Sequence, residues 1–445
     1  MVIVGGGLSG LAAGVQLASE NIPVVILEQK PALGGRAYSY TDATTGDIVD
    51  NGQHLLIAGY QGTFRFLDTI GALDLLRIQE YPDLLFHHPR RGFTSFTLPK
   101  LPSPFHLLWG IFNTDLLSLK DKVSLCRAGL ALQTSDADDM VKAMTVEEWL
   151  DGQNQSVECK RSFWEPLAVS IMNEKIATAS ASVFLHSMRE AFLRGWKNAA
   201  AAIPIVGLSQ LYVDGASRFI TDHKGTVRCN ADVVRIVRDG ETASIVELRD
   251  GEIIPCNAVI LAVPSYRIPA LIPSGVQMTI AVDAIGRLDS SPIISVHLWF
   301  SKEVMQDEFV GVIGKRVQWF FNRRMILREK GKGGHVSAVI SAAHEYVDLT
   351  NEALTTMAVE DLRSVYPDAV APPTHSIVIR EKRATFSCTP KSETLRPDHQ
   401  TSAPNLFVAG DWTNTGLPAT IEGAIISGER CARLAKHWRQ QLAAR

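Results

Sequence analysis

The stretch from Met1 to Glu28 leaves this chain little choice of fold. Val2 to Val4 is an apolar run of strand length, and Gly5, Gly7 and Gly10 follow it in VIVGGGLSG. LAAGVQLASE then reads as a helix, and PVVILE as a second strand ending on an acid, Glu28. The glycines do different things. Gly5 permits the tight turn, and Gly7 lets backbone approach a pyrophosphate. Gly10, with Gly14 a turn later, lets the helix lie close on the strand. The helix start offers free amides and the positive end of its dipole to an anion, and Glu28 is placed to accept hydrogen bonds from an adenosine ribose. A glycine triplet alone is weak, but with the acid at the end of the second strand it reads as a dinucleotide site rather than a chance turn. A secretory leader is the competing reading of the same residues. It fails because no basic segment precedes the run and Gly5 to Gly7 interrupt it.

At 445 residues the chain has room for two domains, or for one with a large insertion. The formal charge of -3 excludes a strongly basic nucleic-acid face, so no nucleic-acid partner is expected. Six scattered cysteines with no CxxC spacing point to reduced thiols in the cytoplasm, with no disulfide framework and no metal site. No run reaches the ~20 apolar residues of a spanning helix.

Turn and cap chemistry gathers again near the far end, in LFVAGDWTNTGLPATIEGA. Leu406 to Ala409 is an apolar strand running into Gly410-Asp411, and a helix begins around Thr420, where Pro418 suits its entrance and Glu422 its dipole. Between the two ends, residues 225 to 264 alternate like strands around an Asp-Gly turn. Just after Glu28 stands Gly34-Gly35-Arg36. That doublet, with the fingerprint and the late Gly-Asp turn, resembles the FAD-binding amine oxidase and phytoene desaturase superfamily.

The resemblance implies an α/β fold: a Rossmann-like FAD-binding domain of the glycine-doublet flavoprotein type with an inserted α+β substrate domain. It places the FAD domain in residues 1–64, 206–269 and 391–445, and the substrate domain in 65–205 and 270–390. By resemblance, Gly34, Gly35 and Arg36 run beside the flavin, the backbone of Val233 touches adenine, and Gly410-Asp411 lies by the ribityl and pyrophosphate. The amides around Thr420 and Ile421 face the flavin ring, where they would stabilise its reduced, negative form.

Two departures argue against amine oxidation: Ser295 stands where amine oxidases carry a lysine, and Thr420 where they carry an aromatic residue. The Asp-x-Gly-Pro-type motif usual in phytoene desaturases is also missing, replaced by VDNGQHLLIAGY. That string, with FWEPLAVSIMNEKIATASASVFLHSMREAF, QWFFNRR and VISAAH, resembles the squalene-associated flavoproteins, the hydroxysqualene dehydroxylases of bacterial hopanoid pathways. Members of that family usually carry several residues before the first strand, so the natural start is expected upstream. The resemblance implies reductive removal of the hydroxyl of hydroxysqualene to give squalene. His54 is the candidate acid, with Asn51 and Gln53 orienting the hydroxyl; the plainer alternative is that Asn51 to His54 only pack a turn under the flavin. Two other readings stay open, an FAD-dependent oxidative desaturase of a thirty- or forty-carbon polyisoprenoid and a carrier without turnover. Neither the direction of hydride flow nor the electron donor is readable.

A substrate of this class resides in membranes. Residues 99–118, PKLPSPFHLLWGIFNTDLLS, are too short and interrupted to span but apolar enough to lie in an interface. The nearby HHPRRG, 87 to 92, is positioned to meet anionic headgroups. The expected location is therefore cytoplasmic and peripherally membrane-associated.

Overall fold

A computed structural model describes residues 1–134 and 139–443. Its first sheet has five strands in the order Thr226–Arg228, Val25–Leu27, Val2–Val4, Val259–Leu261 and Leu406–Val408, every pair parallel. Three of these short strands are fully buried, which is why they read as unbroken apolar runs and not as alternating patterns. The sheet draws its strands from both ends and the middle of the chain, so the fold closes only when the last residues return.

They return through a tight helix contact. A Cβ on Gly428 would fall 2.1 Å from the carbonyl oxygen of Ser9 and 3.0 Å from the amide of Ala13, so the C-terminal helix, Ile421–Ala443, touches the first helix, Leu8–Ser19, backbone to backbone. The C-terminal helix also anchors a third helix, Gln61–Thr69. Glu422 accepts the amides of Gly62 at 2.8 Å and Thr63 at 2.7 Å, and the Thr63 hydroxyl at 2.7 Å. Glu422 does stand in the first turn of its own helix, as expected, and its carboxylate also caps the neighbouring one. The boundary drawn after residue 64 runs through that same helix, whose start is tied to the cofactor layer.

The second large sheet has seven strands in the order His375–Phe386, Ser290–Trp299, His335–Ile340, Trp319–Asn322, Phe309–Val312, Asp83–His88 and Gly92–Thr97. Its two faces differ. Ile294, Val296, Leu298, Val336, Ala338, Ile340 and Phe320 form one apolar face, packed with Leu354, Met357, Ala358 and Leu362 of the helix Asn351–Val365. The register puts Ser295, His297 and Trp299 on the other face, opposite Val339, Ser337 and His335. That face continues through Phe321 and Trp319 to Phe309 and Gly311. A short sheet of Leu56–Ile57, Ala201–Pro204 and Leu76–Ile78 lies next to it, with Ala201, Ile203, Phe309, Phe321 and Val339 in one cluster.

Replacing Glu422 with Ala strips three donors of their buried acceptor. The expected cost is about 2–4 kcal/mol, since donors left unsatisfied lose a full hydration penalty each. A melting temperature lowered by several degrees, largely restored in Glu422→Gln, checks this; an unchanged melt would show that the cap contributes nothing.

Candidate active site

The glycine turns build a cradle. Gly5 has φ +105°, and a Cβ there would lie 2.3 Å from the carbonyl oxygen of Ala262. A Cβ on Gly10 would lie 2.0 Å from the Gly5 carbonyl oxygen, so the helix sits directly on the turn. Gly7 is different: its nearest obstruction would be the Gly35 Cα at 3.9 Å, so the space before it is open. Gly7 also caps the first helix without any side-chain acceptor, which leaves the leading amides for a ligand. The doublet closes one wall, with the Gly34 amide donating to the Gly6 carbonyl at 2.9 Å and Gly35 packed on Gly7.

Glu28 is buried, and part of its acceptor capacity is already used. Its Oε2 takes the Gly6 amide at 2.7 Å and its Oε1 the Lys30 amide at 2.8 Å. The Glu28 carbonyl accepts the Ala231 amide at 2.8 Å, which lays the approach to Val233 beside the second strand. Arg267 links the same two segments, donating to Gln29 at 2.8 Å and to the Val233 carbonyl at 3.5 Å. Fingerprint, acid, doublet and Val233 thus share one surface that fits a dinucleotide: open glycine backbone for the pyrophosphate, and Glu28 with Val233 for the nucleoside.

The other end of the site comes from the returning chain. Arg36 donates to Asp411 at 2.7 Å and to the Ala384 carbonyl at 2.8 Å. Burial works against the guanidinium charge, but Asp411 outweighs it and holds the Arg36 pKa above its ordinary value. Thr420 caps the C-terminal helix, its hydroxyl accepting the Gly423 amide at 3.1 Å and its carbonyl the Ala424 amide at 3.0 Å. The amides of Ile421 and Glu422 are left at the open end of the helix. Gly410 is held by its amide on the Ser427 hydroxyl at 2.9 Å.

A polar centre lies where Asn51 to His54 meet the mixed face of the seven-stranded sheet. Asn51, expected to orient a hydroxyl, has its side chain engaged with backbone groups. Its side-chain amide donates to the Arg36 carbonyl at 2.6 Å and accepts from the Tyr38 amide at 3.4 Å, so it pins the arginine loop. Gln53 accepts from Arg323. Arg323 in turn lies 2.8 Å from Asp50, with side chains 0% and 1% exposed. Next to them His297 Nδ1 and His335 Nε2 are 3.2 Å apart, and Trp299 stacks on His335 at 4.2 Å. Ser295 borders the turn, its hydroxyl 3.6 Å from where a Cβ on Gly52 would sit.

The electrostatics of this centre bear on the acid role expected of His54. Burial pushes its pKa below the usual range and Asp50 only partly restores it, so the ring is neutral at pH 7 and is a poor resident acid. Burial, with Arg323 adding to it and Asp50 opposing, lowers His297 to about 4. Burial, then the neighbouring His297, brings His335 to about 2. Asp50, Arg323, His297 and His335 do not stand out in the sequence. The double arginine in QWFFNRR and the acid before NGQH are visible signals, but their pairing spans most of the chain and has no local period.

Away from the polar centre the same face is hydrocarbon-like. Phe321, Trp319, Phe309 and Phe86 follow each other with ring centroids 5.6 to 6.2 Å apart. A cavity of about 490 Å³ opens at that end, where Phe86, Trp319, Val169 and Ile176 meet a charged rim of Glu147, Lys160, Arg161, Glu165, Lys175 and Lys315.

The unfolded chain binds protons more readily than either buried ring does. Their stabilising contribution is therefore complete above the ordinary value of 6.5 and drains away as the pH falls toward about 4 for His297 and about 2 for His335. The slope is at most about 1.4 kcal/mol per pH unit for each ring. Urea midpoints measured across that window are expected to fall less steeply in His297→Gln; an unchanged slope would show that His297 is not held neutral by burial.

Residues 8–435 match the family described as flavin containing amine oxidoreductase. The chain is 29% identical over 443 residues to a hydroxysqualene dehydroxylase of Sinorhizobium fredii, covering 97% of both chains. It is 24% identical to a 15-cis-phytoene desaturase of an Oncidium hybrid cultivar, covering 97% of this chain and 77% of that protein. Among solved structures, a putative protoporphyrinogen oxidase from Exiguobacterium superposes with a TM-score of 0.69 at 15% identity, over 99% of this chain and 98% of that one.

Proposed function

The chain belongs to the flavin containing amine oxidoreductase family and is an FAD-dependent oxidoreductase, and from that premise we propose that it reductively removes the hydroxyl group of hydroxysqualene, giving squalene. The observation that carries the proposal is one buried polar centre set in an otherwise aromatic and aliphatic sheet face. An alcohol embedded in a long hydrocarbon has that same pattern. The relatives named hydroxysqualene dehydroxylase support the reading, and Ser295 removes the lysine that amine chemistry would use.

Bound FAD, when reduced, supplies the hydride. The protein supplies the rest. The cradle of Gly5, Gly7 and Gly10 with Glu28, Gly34, Gly35 and Val233 would hold the dinucleotide. Arg36, Gly410, Asp411, Thr420 and Ile421 would complete the site around its ring. Gln53, whose oxygen accepts from Arg323 and whose amide nitrogen lies 3.4 Å from the His54 carbonyl, would turn that amide to the hydroxyl, and the aromatic row would exclude water from the allylic carbon as the carbon–oxygen bond weakens. His54 stays in this scheme as a neutral hydrogen-bonding neighbour.

The second reading, oxidative desaturation of a polyisoprenoid, is favoured by the similarity to phytoene desaturases. The two differ in the direction of hydride flow. Anaerobic mixing of the reduced enzyme with hydroxysqualene is expected to give one squalene per flavin reoxidised, followed by absorbance and mass spectrometry. Inert reduced enzyme, with oxidised enzyme bleached by squalene or phytoene, would reverse the assignment.

For access we propose peripheral attachment to the cytoplasmic side of a membrane. Among the described residues no helix is long and apolar enough to cross one. The helix Phe105–Asn113 leaves Phe105, Leu108, Trp109 and Phe112 exposed, and Leu119 beyond it is 70% exposed. The expected basic contact of HHPRRG is narrower than its sequence: His88 is buried, Arg90 pairs with Glu158 at 2.7 Å and Arg91 donates to the Asp115 carbonyl at 2.6 Å. The apolar side chains are therefore the main anchor. Trp109→Glu combined with Phe112→Glu is expected to weaken sedimentation with anionic vesicles roughly tenfold or more, given the apolar area each ring would bury, with no change in melting temperature. Undiminished vesicle binding would remove this anchor.

A further inference from the structure

The reaction proposed above consumes a proton, yet no cationic imidazole stands at the polar centre to supply it. The structure contains an unusual set of buried polar atoms there. Among the described residues, His335 Nδ1, Ser337 Oγ and Ser295 Oγ have no hydrogen-bond partner, and His297 Nε2 has only the Asp50 backbone beside it. All four residues are essentially inaccessible to solvent. Orphaned polar atoms in such numbers are costly, and where they adjoin they ordinarily hold ordered water. Their arrangement is directional. Each imidazole has one nitrogen in the His335–His297 contact at 3.2 Å and the other facing outward from the pair.

Ser337 lies across from His297 in the strand register, and Ser295 lies two residues along on the same face, next to Gly52. At the opposite end Trp299, stacked on His335, donates to Asp47 at 2.8 Å. Asp47 is also bound by Arg324 at 2.6 Å and by Lys332 at 3.0 Å, and the Lys332 side chain is half exposed. Asp47 and Lys332 thus lie on the outer side of the imidazole pair, separated from His335 by the Trp299 ring, and Asp50 and Arg323 flank the inner side.

Resting on the dehydroxylase reading, we propose that His335 and His297, with water held on Ser337 and Ser295, form a proton relay that protonates the departing hydroxyl. The carbon–oxygen bond breaks with its electron pair going to oxygen, and that oxygen takes the relayed proton and leaves as water. Reduced FAD, when bound, would supply the hydride that the allylic carbon takes and would be oxidised by it, and a proton from solvent returns to the relay at His335 Nδ1. Each ring takes a proton on one nitrogen as it releases one from the other, so neither rests as a cation. His297 and His335 act through the water and hydroxyls beside them and are relay residues.

The test compares hydroxysqualene with its acetate ester, whose leaving group departs as carboxylate and needs no proton. In His297→Gln, flavin reoxidation by the alcohol is expected to slow about a hundredfold, the lower range for lost acid–base assistance, while the ester rate and flavin content stay unchanged. Ser337→Ala is the second variant, expected to slow the alcohol alone and less severely. Equal slowing of alcohol and ester in both would overturn the relay and leave the dehydroxylase reading standing. Wild-type enzyme inert toward both substrates would overturn that reading and the relay together. The wild type provides an arm free of folding effects: the alcohol reaction should show a solvent deuterium effect with a curved proton inventory, and a flat response overturns the relay. Nitrogen-15 spectra of the histidines, read without turnover, should show both rings neutral at pH 7; a cationic ring would contradict it.

Discussion

Arg36 and Asp411 stand 375 positions apart in sequence and 2.7 Å apart in space. The contact is possible only after the middle of the chain has built its own sheet and the end has come back beside the beginning. It joins the glycine-doublet loop to the Gly-Asp turn, and both sides are further secured. Asn51 holds the Arg36 carbonyl, and Gly428 lets the C-terminal helix seat on the first helix at backbone distance. The charge pair is partly desolvated, so its partners must be kept in register by neighbouring hydrogen bonds rather than by attraction alone. The flavin site is thus a seam, and the integrity of its two lips decides whether there is a site at all.

Much of this is legible in the chain itself. The fingerprint of Gly5, Gly7 and Gly10, the acid at Glu28 and the strand before Asp411 each depend on short spacings, and short spacings survive in sequence because backbone geometry enforces them locally. The fold class follows from those alone. What escapes is the floor of the site. Asp50 and Arg323 are fully buried opposite charges whose partnership depends on a seven-stranded register that no periodicity announces. His297 sits in SPIISVHLWF, which reads as a fully buried strand, and nothing local says that one face of it turns polar. Asn51 has the chemistry of a ligand residue but is spent on the backbone, because an amide next to a glycine turn finds a carbonyl before it finds a ligand. Glu422 behaves in the same way: its position suits its own helix, and its carboxylate acts on another.

The two faces of the substrate sheet divide the labour. One is a uniform apolar surface held by a covering helix, and it makes the sheet rigid. The other carries charge, imidazole and hydroxyl at one end and aromatic rings at the other, so a ligand on it has a defined direction. Rigidity of the first face is what allows the second to keep polar atoms buried without collapsing around them. On the proposed reading, a flavin held above such a surface would meet one carbon of a long hydrocarbon, chosen by where the polar centre stops it.

That placement is the central claim, and it is open to direct observation. Crystals of the flavin-loaded enzyme grown with a saturated, unreactive analogue of the alcohol should show the oxygen within hydrogen-bond distance of Gln53 or Ser295. The hydrocarbon should run over Phe321, Trp319 and Phe309. An analogue bound with its oxygen among the aromatic rings, or lying off this face of the sheet, would contradict the assignment of the polar centre as the place where the hydroxyl is recognised.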